Sequence, residues 1–178
     1  MLTSLRLSTL LLLILPLAAE AAVKTETVQY KDGDTSLTGY VMYDDAVEGK
    51  RPGIIVVHEW WGLNDYARER AEMLAELGYV AFAIDMYGDS KVTEHAKEAK
   101  GWMQQITDNV DAWQRRALLG LDLLKKHELV DPQYTAAVGY CFGGATVMQM
   151  AYAGADLDGV VSFHGSLPPA GPEQQQNI

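Results

Sequence analysis

Gly139-Tyr140-Cys141-Phe142-Gly143 lies between a strand-like run, Tyr134 to Tyr140, and a helix-compatible stretch, Gly143 to Tyr152. G-x-C-x-G at a strand-to-helix turn is the nucleophile-elbow arrangement, with Cys in place of the more usual Ser. The tight turn drives side chains two positions before and after the nucleophile into neighbouring backbone, so both must be Gly, and Gly139 and Gly143 meet that demand. At a helix N-terminus the dipole favours a thiolate and backbone N–H groups can hold an oxyanion, with Phe142 as the first donor. The same pattern also suits a small buried Cys in a turn where glycines let a helix pack closely on a sheet, and that reading stands beside the nucleophile.

Outward from the elbow, strands and helices alternate. Upstream, Ile54-Ile55-Val56-Val57 is a β-branched run suited to burial on both faces, and Tyr79 to Ile84 is a second strand. Asn64 can cap a helix between them, with Ala67, Ala71, Leu74 and Leu77 at helical spacing, Arg68 facing Glu72, and Gly78 as the stop. Thr93 is expected to open a second helix carrying Ala96, Ala99, Met103 and Ile106. Thr107 or Asp108 then starts a longer one with Val110, Trp113, Ala117, Leu118, Leu121 and Leu124 inward. Downstream, Gly159 to Phe163 reads as a strand, and the stretch from Pro168 to the end as a loop or fraying tail. Residues 25–31 and 35–43, joined by Asp32-Gly33-Asp34, form an antiparallel hairpin. The whole is an α/β fold: a mostly parallel sheet, an N-terminal hairpin and helices on both faces.

The 178 residues, 48% hydrophobic and 21% charged, suit one globular domain. The first 21 read otherwise: Arg6 is a positive n-region, Leu10 to Leu15 a short apolar run broken by Pro16, and Ala19-Glu20-Ala21 a small-x-small cleavage site. The run is too short to span a bilayer, so the expectation is a signal peptide cleaved near Ala21, export to the periplasm or medium, and a domain over 22–178. The net charge of −10 and the scatter of the 14 Lys and Arg speak against nucleic acid or an anionic membrane as partner. One cysteine allows no intrachain disulfide, so an exported Cys141 needs another reason.

His58-Glu59-Trp60-Trp61-Gly62-Leu63 follows the strand ending at Val57, on the edge where open α/β sheets bind ligands. In an elbow topology this loop supplies a second oxyanion N–H, although tandem Trp is often a packed rim. Asp85 ends its strand and reads as an anchor for the following loop. His58 and Glu59 diverge as neighbours, and His95 and His127 sit in polar helical surroundings that suggest solvation, so no metal or other cofactor is implied.

Three motifs in order, His58-Glu-Trp-Trp-Gly-Leu-Asn64, Asp85-Met-Tyr-Gly88 and Gly139-Tyr-Cys-Phe-Gly-Gly144, resemble those of dienelactone hydrolases, from about Val28 to Leu167. The resemblance implies the α/β-hydrolase fold and cleavage of a small-molecule lactone or carboxylic ester through an acyl-enzyme. It implies Cys141 as nucleophile, Trp60 and Phe142 as oxyanion-hole amides, and Glu59 as the group that activates the thiol. Trp61, Tyr87 and His164 are pocket candidates.

The family completes a Cys-Asp-His triad on later strands. After Cys141 this sequence offers only Asp156, Asp158, Glu173 and His164, none in a matching motif, so the expectation is a chain incomplete at its C-terminus and inactive alone. Asp156 and Asp158 precede their strand and fall at the wrong end of a parallel sheet. His164 falls on the catalytic side, as a pocket residue more than a base. Two other readings remain: a non-catalytic binding protein, and an exported redox or sensing thiol at Cys141. Neither substrate identity nor oligomeric state is legible.

Overall fold

The computed structural model describes residues 22–167 and 169–177; the leader expected over residues 1–21 lies outside them. A hairpin comes first, β1 (Val23–Asp32) and β2 (Thr35–Asp44), followed by β3 (Arg51–Val57), α1 (Asp65–Glu76) and β4 (Val80–Ile84). Then come α2 (Ala96–Thr107), α3 (Val110–Lys126), β5 (Val130–Tyr140), α4 (Phe142–Tyr152), β6 (Gly159–Phe163) and a single 3-10 turn, Gln174–Asn177.

The six strands form one sheet in the order β1-β2-β4-β3-β5-β6. β4, β3, β5 and β6 run parallel, while β2 meets both β1 and β4 antiparallel. β3 and β4 therefore sit at the centre, as their unbroken apolar sequences require: Ile55, Val56, Val57 and all of Val80 to Ile84 are fully shielded from solvent.

Alternate residues of each strand serve two separate cores. On one face Val56, Ala81, Ala83 and Val138 meet α1 through Ala67, Ala71 and Ala75, whose small side chains let the helix lie close to the sheet. On the other, Ile55, Val57, Phe82 and Ile84 meet Trp113, Ala117, Leu121 and Leu124 of α3 and Ala145, Val147 and Met150 of α4. Trp113 ties these two helices together, its indole N–H donating to Thr146 Oγ1 at 2.8 Å. The far end of the hairpin is clamped by Asp32, which accepts from Arg115 at 2.8 Å and from Arg116 at 2.9 Å.

Several local expectations need correction. Thr93 does not open α2; its hydroxyl accepts from His95 N–H and donates to Glu98, so it braces the turn from outside and the helix begins at Ala96. α3 is capped by Asn109, whose side chain accepts from Ala112 N–H, rather than by Thr107 or Asp108. Val110, read as inward, is exposed as the first residue of α3, and Leu77, read at the helical spacing of α1, is its exposed C-cap. His127 is not solvated: it packs against the Tyr43 ring at 5.8 Å and lies 3.5 Å from Glu26. The tail is also docked, since Asn177 donates from its side chain to Tyr152 O at 2.9 Å.

Candidate active site

The elbow sits where β5 hands over to α4. Cys141 has φ 54° and ψ −112°, a conformation costly for any side-chain-bearing residue. It is held there by backbone: Cys141 N–H donates to Phe163 O at 2.9 Å. A Cβ on Gly139 would overlap the Gly143 carbonyl, and one on Gly143 would overlap the carbonyls of Val57 and His58. The two glycines therefore permit the turn and also press the start of α4 against the end of β3, bringing the Cys141 and Glu59 loops side by side.

Phe142 is the first residue of α4, where an N–H has no carbonyl one turn back to serve. Its ring is buried, stacked on Trp113 and Tyr87 at centroid distances of 5.8 and 5.5 Å, so the backbone at this point is firmly seated. Cys141 itself is half-buried and carries a free thiol.

His58 is completely buried and acts as a staple between loops. Its Nε2 accepts from Met86 N–H at 3.2 Å, which leaves Nδ1 as the protonated nitrogen, and Nδ1 donates to Glu59 O at 2.5 Å. Burial disfavours the imidazolium and pushes the His58 pKa below the usual histidine value, against the smaller opposing effects of the Glu59 carbonyl and the Asp85 charge. The ring is thus a neutral structural element. No group of three or more His, Cys, Asp or Glu among the described residues is arranged to hold a metal.

Tyr87 is likewise buried, and its hydroxyl donates to Trp60 O at 3.0 Å, fixing the peptide that follows Trp60, while the His58 bond to Glu59 O holds the peptide that carries the Trp60 N–H, the second candidate oxyanion amide. Burial, and secondarily the charge of Cys141, push the Tyr87 hydroxyl well above its ordinary range, so it remains a donor at all physiological pH. Tyr87 is therefore a support beneath the loop more than a pocket wall. Trp61 packs edge to face on Trp60 and lines an open cleft of about 620 Å³ with Tyr40, Leu63, Tyr66 and Val92. Cys141 and His164 are not among that cleft's walls.

Asp85 is the loop anchor its position suggested: Oδ1 accepts from the N–H groups of Tyr87 and Gly88, both at 2.9 Å, and Oδ2 from Thr38 N–H at 3.3 Å. Asp158 accepts from Thr135 N–H, and Asp156 pairs with Lys125, both at the end of the sheet remote from the elbow.

The contact that sequence reasoning missed joins Glu59 to His164. His164 Nε2 lies 2.9 Å from Glu59 Oε1, with the Glu59 side chain mostly covered and the His164 side chain 60% exposed. The residues are 105 positions apart. The one available signal was topological, since both follow parallel strands and so emerge at the same sheet edge.

The family model of the dienelactone hydrolases matches residues 37–178. The protein usf of Aquifex pyrophilus is 30% identical over 158 residues, covering 86% of this chain and 66% of that one. A solved dienelactone hydrolase-like promiscuous phosphotriesterase from metagenomic libraries is 41% identical, with a TM-score of 0.85 over 88% of this chain and 65% of that chain. A cold-adapted esterase from an Arctic intertidal metagenomic library shares the fold alone, at 14% identity and a TM-score of 0.59 over 80% of this chain and 59% of that chain. The chain thus spans just under two thirds of the length of these relatives. A cysteine elbow braced against the His58–Leu63 loop, in an α/β-hydrolase fold and matched over this span, places the chain in the dienelactone hydrolase family, a family of hydrolases.

Proposed function

We propose that this chain carries the nucleophile and oxyanion hole of an exported thiol hydrolase acting on a small-molecule lactone or carboxylic ester. The observation that carries this reading is the strained Cys141 backbone, held at φ 54° by the Phe163 carbonyl and two glycines that tolerate no Cβ. Strain of this kind persists only where surrounding structure enforces it, and it clusters at functional sites.

In this reading Glu59 takes the thiol proton, the Cys141 sulfur attacks the carbonyl carbon, and the carbonyl oxygen becomes an oxyanion held by the N–H groups of Phe142 and Trp60. Collapse of the tetrahedral intermediate breaks the C–O bond, and the leaving oxygen takes back the proton held by Glu59, so the alcohol departs or the lactone ring opens and a thioester stays on Cys141. Water then releases the acid. The general base for that step and its partner acid are proposed to lie beyond Ile178, in the third of the family length that this chain does not span.

The test is turnover by the protein encoded by the whole gene, with an aryl ester and a lactone as probes. The similarity to a phosphotriesterase makes an aryl phosphotriester a third. Cys141→Ala should abolish turnover, and Glu59→Gln should lower it about 10²-fold or more, as loss of a general base does. Full activity in Cys141→Ala contradicts the assignment, whereas no turnover by the natural sequence on any of the three probes favours a binding role for the cleft.

A further inference from the structure

We propose that His164 is a positioning residue for the thiol: it grips Glu59 Oε1 and so aims the carboxylate's other oxygen, Oε2, at the Cys141 proton. The inference rests on the reading of Glu59 as the acceptor of that proton.

The backbone on both sides of His164 is tied to the elbow. Phe163 O accepts from Cys141 N–H at 2.9 Å. On the other side, Gly165 packs so tightly on the Gly144 and Ala145 backbone that a Cβ would overlap it. Between these two clamps His164 is forced to φ 44°, a left-handed conformation that glycine adopts freely and histidine at a cost. A position that disfavours a side chain nevertheless carries an imidazole, and that imidazole reaches Glu59 at 2.9 Å. An ionised carboxylate only accepts, so His164 Nε2 is the donor, whichever charge the ring carries.

Because Cys141 and His164 are fixed to one another through Phe163, the bond to Glu59 transmits that registration to the carboxylate. A glutamate side chain alone has three rotatable bonds and would visit many poses. Gripping one oxygen removes most of them and leaves the second to receive the proton. The step balances simply: the S–H bond of Cys141 breaks, an O–H bond forms on Glu59, and His164 keeps its own Nε2 proton throughout. The other titratable groups at this edge do not compete near neutral pH. Burial keeps His58 uncharged and pushes the Tyr87 hydroxyl above its ordinary range.

The reactivity of the Cys141 thiol tests this on the full chain, without turnover. The rate of alkylation by iodoacetamide is measured from pH 5 to 10 for the natural sequence, Glu59→Gln, His164→Gly, His164→Gln and the Glu59→Gln/His164→Gly double variant. Glycine suits φ 44°, so His164→Gly removes the ring without backbone strain. Glutamine offers an amide N–H₂ donor on a chain of similar reach. The expected result is a fall of about tenfold near pH 7 in His164→Gly, the scale of one hydrogen bond to a charged group. Glu59→Gln should fall at least as far, the double variant no further, and His164→Gln should recover most of the rate. An unchanged His164→Gly profile beside a shifted Glu59→Gln profile overturns the role of His164 and leaves Glu59 standing. If neither variant shifts, the reading of Glu59 fails and the inference fails with it. If His164→Gly falls but His164→Gln does not recover, positioning through a hydrogen bond is likewise overturned.

Discussion

At the residue scale, the site is built from side chains that hold backbone in place. His58, Tyr87 and Asp85 each spend their polar atoms on main-chain groups of the neighbouring loops, so the two candidate oxyanion amides rest on a rigid floor. Such preorganisation is what electrostatic stabilisation of an oxyanion requires. A pH dependence of stability follows from His58. Its folded pKa lies below the unfolded value of about 6.5, so as pH falls the unfolded chain binds a proton first. Its contribution is therefore complete above about pH 6.5 and is lost below it, by up to about 1.4 kcal/mol per pH unit until the folded value is reached. Urea midpoints at pH 7.5 and 5.5 should differ more for the natural sequence than for His58→Gln; equal differences would refute the role. Nothing local to the sequence announced this histidine as a staple, because its partner Met86 lies 28 residues away. The same blindness hid Glu59 and His164 from each other.

At the element scale, what was legible followed from short-range physics. The β-branched run of β3, the Asn64 cap and the Ala67–Ala71 spacing are each decided within a turn or a strand, and each appears as expected. The starts of α2 and α3 were misplaced by two or three residues because polar side chains cluster before each helix: Thr93 bonds His95 N–H and Glu98 from ahead of α2, and Asn109 caps α3 in place of the neighbouring Thr107 and Asp108. The clamp at Asp32 belongs to this scale as well, since it joins the hairpin to α3. The Arg115 and Arg116 guanidiniums hold the Asp32 carboxyl below its usual range even against the opposing effect of burial. Arg116, whose side chain is 11% exposed, would be left short of its charged partner in Asp32→Ala. That substitution should cost about 3 kcal/mol, nearly all through Arg116, because the Arg115 side chain is 60% exposed and its pair is largely screened. Chemical denaturation of the variant measures it, and a loss under about 1 kcal/mol would show the clamp to be decorative.

At the scale of the whole molecule, β6 is an edge strand of the sheet, and Val161 and Phe163 on it are about half exposed. Phe163 stacks on Tyr140 at 5.0 Å, and Tyr140 in turn meets Tyr66 at 5.5 Å, so an aromatic surface runs from α1 across β5 to this edge. An apolar edge of this kind invites further pairing. The chain spans 66% of the length of the protein usf of Aquifex pyrophilus, and the proposed general base and acid belong to the remainder. Export and the extent of the natural product can be read together from the intact mass of the protein in its native source. The account predicts a chain beginning after Ala21 and heavier than residues 22–178; a mass equal to residues 22–178 would set aside triad catalysis.

The central claim is that Cys141 is a nucleophile, and the most direct test is to look for its acyl adduct. The full chain is incubated with an excess of an activated aryl ester, quenched in acid and mapped by peptide mass spectrometry. The account predicts one acyl group, carried as a thioester on the peptide containing Cys141, formed in the natural sequence and missing from Cys141→Ala. Acylation that persists in Cys141→Ala, or a Cys141 thiol that stays unmodified under these conditions, would contradict it.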